Sequence, residues 1–271
     1  MFNDSRIRAA ALGALALTFL AVSATSLANH SWGGYHWART GDFTLKLGDN
    51  LTSADWKAHL STTSQEWNTG NTPLGTKIVA GQARKRCSMV VGTTQVCNGK
   101  YGNNGWLGLA SINITGGTHI TQGSAKVNDT YFDTPTYNTP DERLHVMCQE
   151  VAHTFGLGHT SENGSSQKTC MDYSSSPDST GPNQHDFDQL ELIYAHTDST
   201  TTVAARAALA ASKSDVTDDP ISWGHRIRQS ANGRSSHYER LNGDGSKTLT
   251  HVYWTLEAAS NCPSCDHRYD R

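Results

Sequence analysis

The chain is short of charge. Asp, Glu, Lys and Arg make up 17% of its 271 residues and balance to a net charge of −3, so there is no basic excess to attract nucleic acid. It also lacks a second long apolar run. Beyond the first 28 residues no stretch is long and apolar enough to cross a bilayer, and no stable membrane span is expected after that point. No internal repeat is visible, which argues against a solenoid or propeller.

The one apolar run that is present lies at the N-terminus. Arg6 and Arg8 precede an apolar core from Ala9 to Phe19, and Ser26-Leu27-Ala28 has the small-x-small form of a cleavage site. Residues 1–28 therefore read as a secretory signal, and a mature chain of about 243 residues is expected to be secreted. That length suits one main domain, residues 29–197, a linker, residues 198–220, and a small β-rich extension, residues 221–271. Export implies an oxidising compartment, so the six cysteines are read first as disulfides.

Residues 149–159 read Gln-Glu-Val-Ala-His-Thr-Phe-Gly-Leu-Gly-His, which is H-E-x-x-H-x-x-G-x-x-H with only the first letter changed. Thr139, Pro140 and Glu142 supply an N-cap, a first-turn proline and a capping-box acid, predicting a helix from about Pro140 to Phe155. On that helix positions 149 and 153 share a face and can aim at one metal ion. Glu150 lies beside that face, within reach of a water as general base. Gly156 permits the positive φ that turns the chain so that His159 can return as a third ligand.

With Cys170-Met171-Asp172-Tyr173 following, this stretch resembles the metzincin clan of zinc metalloproteases, of matrixin or astacin type, over residues 35–196. The resemblance implies an α+β fold: a twisted mixed sheet with an antiparallel edge strand, the active-site helix, a Met-turn and a C-terminal helix. It implies Zn²⁺ held by Gln149, His153 and His159, with Glu150 activating a metal-bound water for peptide-bond hydrolysis. Met171 would form the floor of the site and Tyr173 would stabilise the transition state. A peptide or protein substrate is expected to pair with the edge strand before the helix by β-augmentation. Trp106–Ile112 and Gly117–Asn128 read as the strands of that region. The protein is expected to be a monomer.

Gln149 leaves alternatives open. Its amide oxygen is a weaker donor than imidazole nitrogen. It is expected to ligate. Otherwise it caps the cavity with a hydrogen bond, or the site holds no metal and the chain is an inactive peptide- or protein-binding module. His145 stands two helical turns, about 11 Å, from His153, too far for both to bind one ion. It is expected to pack, or to position the Gln149 amide at i,i+4.

Cys87 pairs with Cys97 to close a small loop, and Cys148 with Cys170 to tie the helix to the Met-turn. Cys262 and Cys265 form a lone C-x-x-C, read first as a local disulfide, since His267 alone cannot complete a second zinc site and a redox βαβ context is missing. Phe43–Leu47 and Lys77–Ala80 read as strands, and Ser53 caps a helix to Trp67. A Gly- and Asn-rich loop is expected from the Cys87 region through Asn104. A helix follows from Gln184 to near His196, and Thr248–Trp254 alternates as a strand. The first strand starts soon after the signal, leaving no room for a pro-domain. Any latency would then arise another way, for instance through the aromatic segment Trp32–Trp37 or His36.

Overall fold

A computed structural model describes residues 30–83, 86–203 and 217–261, so the signal segment and Cys262–Cys265 lie outside the described residues. In chain order the elements are β1 (His36–Trp37), β2 (Phe43–Asp49), α1 (Ala54–Trp67), β3 (Leu74–Ala80), β4 (Thr93–Gly99), β5 (Trp106–Thr115), β6 (His119–Asn128), α2 (Asp129–Phe132), α3 (Pro140–His153), α4 (Gln184–Ile193), β7 (His225–Gln229), β8 (Ser235–Leu241), β9 (Lys247–Trp254) and α5 (Leu256–Asn261).

The result is a mixed α+β fold on one nine-stranded sheet. Its order is β3-β2-β4-β6-β5-β9-β8-β7, and β1 pairs with the start of β6. The half from β3 to β6 is parallel, and the half from β6 through β5, β9 and β8 to β7 is antiparallel. The strands of residues 221–261 are therefore not a separate appendage. β9 runs antiparallel along β5 from Trp106↔Trp254 to Ile114↔Lys247 and continues the sheet.

That pairing corrects one expectation. Neither β5 nor β6 is an edge: β5 lies between β6 and β9, and β6 between β5 and β4. The edge expected to receive substrate is filled by the chain's own β9. A second correction concerns Thr93–Gly99, expected within a loop because of its polar Thr, Gln and Asn. It forms β4, a buried strand parallel to both β2 and β6. Its polar side chains are satisfied laterally: Asn98 Nδ2 donates to Thr52 Oγ1 at 3.0 Å and Gln95 Nε2 to Thr93 Oγ1 at 2.8 Å. Hydrogen bonding rather than apolar alternation makes the strand burial-compatible.

The helices form where the capping signals lie. Ser53 accepts from the Trp56 amide at 3.2 Å to start α1, which buries Trp56, Leu60 and Trp67. Thr139 accepts from the Glu142 amide at 3.2 Å to start α3, with Pro140 in the first turn. Asn183 and Asp186 form a reciprocal capping box on α4. The main core packs α1, α3 and α4 against one face of the sheet, through residues such as Trp37, Trp67, Val146, Phe155, Leu190 and Tyr253. A smaller core on the other face gathers Trp106, Leu109, Trp223, Tyr238, Val252 and Trp254. β9 contributes to both, Leu249 and Tyr253 to the first, Val252 and Trp254 to the second, as period-two alternation requires.

Two contacts bring α3 and its following turn down onto the rest of the chain. At Gly108 of β5 a Cβ would sit 2.5 Å from Glu150 Oε1 and 2.7 Å from Val146 Cγ1, so only glycine lets the helix lie this close. Gly156 takes φ +98, and a Cβ there would meet the Tyr35 carbonyl oxygen at 2.0 Å. The aromatic N-terminal segment wraps this same turn: the Trp32 amide donates to Gly156 O at 2.7 Å and Trp37 Nε1 to Thr154 O at 2.8 Å. Residues 198–203 lie on the N-terminal strand region, with the Thr202 amide donating to Ala38 O at 3.0 Å. Most of the expected linker, residues 204–216, lies outside the described residues.

Cys87–Cys97 and Cys148–Cys170 are both disulfide-bonded, which points to an oxidising compartment. No helix among the described residues is long and apolar enough to cross a membrane. The Cys148–Cys170 bridge closes a 22-residue separation, and constraining a loop of that size in the unfolded chain is worth about 3 kcal/mol. Replacing both cysteines with serine should lower unfolding stability by that order in urea titrations; an unchanged midpoint would show that the bridge contributes nothing.

Candidate metal centre

Glu150, His153 and the ring of His159 are fully buried, on and just after the C-terminal end of α3. His153 directs Nδ1–H to the Leu157 carbonyl at 2.8 Å, one turn on. This leaves Nε2 as the lone-pair nitrogen, and that atom is buried without a hydrogen-bond partner. Trp32 closes the cavity on one side, its ring edge-on to His153 at 5.5 Å between centroids. Met171 is buried in the same core.

Gln149 does not stand where the motif expects a ligand nitrogen. Its Nε2 donates to the Cys170 and Asp172 carbonyls at 2.8 Å each, clasping the backbone on either side of Met171. Two carbonyl acceptors fix that atom as the amide nitrogen. The hydrogen-bonding alternative for Gln149 is thus the one observed for its nitrogen, while Oε1 is buried without a partner. His145 packs beside Gln149 at i,i+4 without a hydrogen bond to it, since both Gln149 N–H groups serve the carbonyls. Its Nδ1–H donates to Ser179 O at 2.5 Å, and its Nε2 faces Gln149 Nε2 at 3.5 Å.

A residue outside the motif joins the cluster. His251, opposite Ala110 in the β5–β9 register, shares the α3-facing side of β9 with Leu249 and Tyr253. Its Nδ1 meets Glu150 Oε2 at 3.0 Å, and its Nε2 meets the Tyr173 hydroxyl at 3.0 Å. One ligand atom each from His153, His159 and His251 lies within 4.8 Å of the other two. Tyr173 joins them: its hydroxyl is 2.7 Å from His159 Nε2. A fourth histidine, His237, pairs with His251 across β8–β9 and lies 5.7 Å from His159 between ring centroids.

Burial sets the protonation of this cluster. It lowers His153 and His251 to about 3, with the neighbouring rings adding to the effect on His153, and holds His159 and His237 well below the usual imidazole range. All four rings are therefore neutral at physiological pH, the form that ligates metal. Burial raises the Glu150 carboxyl to about 8, against the opposing pull of His153. It also pushes the Tyr173 phenol well above 10. Two further groups of three, His30–His185–Asp186 and His36–His196–Asp198, also bring ligand atoms within 4.8 Å of one another.

The motif search therefore found Glu150, His153, His159 and Tyr173, and the structure brings these four together. It did not find His251 or His237. The available signal was a histidine on the apolar face of the Thr248–Trp254 alternation in a chain one motif histidine short. What was missing was the pairing that carries it 101 residues back to Glu150.

No protein-family model matches the chain, and no curated protein matches it. Among solved structures, two of myroilysin align with a TM-score of 0.32 each, at 13% and 12% identity, over 62% of this chain and 83% and 87% of theirs. A likeness of that level carries no argument about chemistry, which rests on the geometry above.

Because Gln149 Nε2 satisfies two buried carbonyls, Gln149→Leu should cost about 1–3 kcal/mol for each acceptor left unpaired. Urea or thermal unfolding reads this directly. A variant as stable as the wild type would show that the clasp around Met171 has no energetic role.

Proposed function

We propose that the chain is a secreted, zinc-dependent endopeptidase of the metzincin type, seen here in a closed form. The observation that supports this most is the convergence of Glu150, His153, His159 and Tyr173 in one buried cluster. The donor set fits a divalent cation: the rings are neutral, and His153 Nε2 is a buried acceptor with nothing else to bind. His153 and His159 would hold the ion. Zinc bound there would supply Lewis acidity to a scissile carbonyl and to an attacking water.

The chain's own residues do the rest. Glu150, with its pKa raised to about 8, can take a proton from the attacking water at a carboxylate oxygen and return it to the departing amine. Tyr173 keeps its hydroxyl proton and can donate it as a hydrogen bond to the oxygen on which charge develops. Met171, held by Gln149 through the carbonyls of its neighbours, fixes the floor. Substrate would pair with β5, and this requires β9 to move aside, because β9 fills that edge in the form described.

The second reading is a binding module with this fold and no turnover. The complete burial of Glu150 and its engagement by His251 favour it to the extent that β9 stays in place. Cleavage of casein or a peptide library separates the two. The enzyme reading expects chelator-sensitive cleavage that falls roughly 10²–10⁴-fold in Glu150→Ala with bound metal retained. A metal-loaded chain that binds peptide without cutting it would establish the module instead.

A further inference from the structure

We propose that His251 takes the metal position that Gln149 has given up, so that a divalent transition-metal ion held by His153, His159 and His251 ties strand β9 to helix α3. The inference rests on reading this cavity as a metallopeptidase centre and adds to it a ligand from the C-terminal strands.

Four observations carry it. First, one ligand atom each of His153, His159 and His251 already lies within 4.8 Å of the others. Second, Glu150 Oε2 stands 3.0 Å from His251 Nδ1, which leaves Nε2 as the metal-facing atom. With Glu150 ionised, a carboxylate on the remote nitrogen orients a ligating imidazole and makes it more basic. Third, the cluster is short of protons. The Tyr173 hydroxyl, 2.7 Å from His159 Nε2 and 3.0 Å from His251 Nε2, can donate to one ring and accept from the other, but His153 Nε2 is buried with no donor at all. Buried acceptors facing one another without donors are costly unless a cation lies between them. Fourth, the Gln149 nitrogen is committed to two backbone carbonyls, so only its weaker donor, the unpartnered amide oxygen, remains to compete with the His251 ring.

Three imidazoles suit zinc, and the nearby phenol can make a fourth donor. A site with four protein donors is closed, the composition of a structural rather than a catalytic zinc centre. Metal held this way would fasten β9 over β5 and keep the peptidase latent. Exchange of His251 for water would free a coordination position, release the hold on β9 and leave Glu150 without its partner. The lost first histidine of the motif and the covered substrate edge then have a common origin: the C-terminal strand supplies the missing ligand and blocks the cleft in one contact.

Cobalt(II) titration of the purified, chelator-stripped full chain tests this by absorption spectroscopy, independently of any cleavage. The wild type should give a tetrahedral ligand-field spectrum at one equivalent. His251→Ala should weaken cobalt binding by about 100-fold or more, since loss of an outer-shell partner alone costs 10–100-fold. Gln149→Ala should bind as the wild type does. His251→Cys should bind cobalt with a thiolate charge-transfer band, which appears only if residue 251 coordinates; this arm stands even if the alanine variant fails to fold. Loss of binding in His153→Ala and Gln149→Ala, with His251→Ala unaffected and no thiolate band, would overturn the role of His251 and leave the metallopeptidase reading intact. A wild type that binds no cobalt would overturn both.

Discussion

The pairing of β5 with β9 is the contact on which the rest depends. It joins residues more than a hundred positions apart, completes the hydrogen bonding of β5, and puts His251 across from Ala110, facing Glu150 and Tyr173. Without it the sheet would end at β5 with an open row of backbone donors and acceptors, the usual template for binding another strand. With it, the backbone groups that a substrate would use are spent internally. The same eight-residue strand supports both hydrophobic cores, so its position is fixed by packing on two faces as well as by its ladder.

Helix α3 is the second constraint. Its approach to β5 is set by the missing side chain at Gly108, and its exit by Gly156, where the Tyr35 carbonyl leaves no room for a Cβ. Between these points Glu150 and His153 are drawn into full burial. That burial does electrostatic work. It keeps the rings neutral and raises the carboxyl, so the cluster carries little charge although it holds many titratable groups. Gln149 accordingly contributes through amide hydrogen bonds to the turn at Met171, a role for which glutamine, with two N–H donors on one atom, suits the two carbonyls better than imidazole.

Much of this was legible in the sequence wherever the signal was local. The caps Ser53 and Thr139 set the starts of α1 and α3, and the apolar period placed Trp56, Leu60 and Trp67 inward. Both described disulfides join the cysteines expected. What could not be read was long-range or polar. β4 was hidden because its Thr, Gln and Asn side chains are satisfied by hydrogen bonds within the strand and to the adjoining loop, and no alternation of apolar residues marks that. The integration of β7–β9 was hidden because strand pairing leaves no trace in spacing: Thr248–Trp254 is recognisable as a strand, but its neighbour is not. The role of Gln149 was weighed as a ligand from the motif, and its carbonyl partners at positions 170 and 172 become visible only once the Cys148–Cys170 bridge brings that turn under the helix.

The late position of β9 in the chain also bears on biogenesis. During synthesis β5 and β6 emerge long before residues 247–254, so a growing polypeptide must carry a half-sheet with a bare flank until β9 arrives. Ser111 waits for its partner hydroxyl on Thr250, 139 residues downstream. Closure over so long a separation is slow, and an exposed strand flank invites pairing with other chains in the interval. Folding of this protein is therefore a race between pairing of β5 with β9 and pairing of β5 with neighbouring chains.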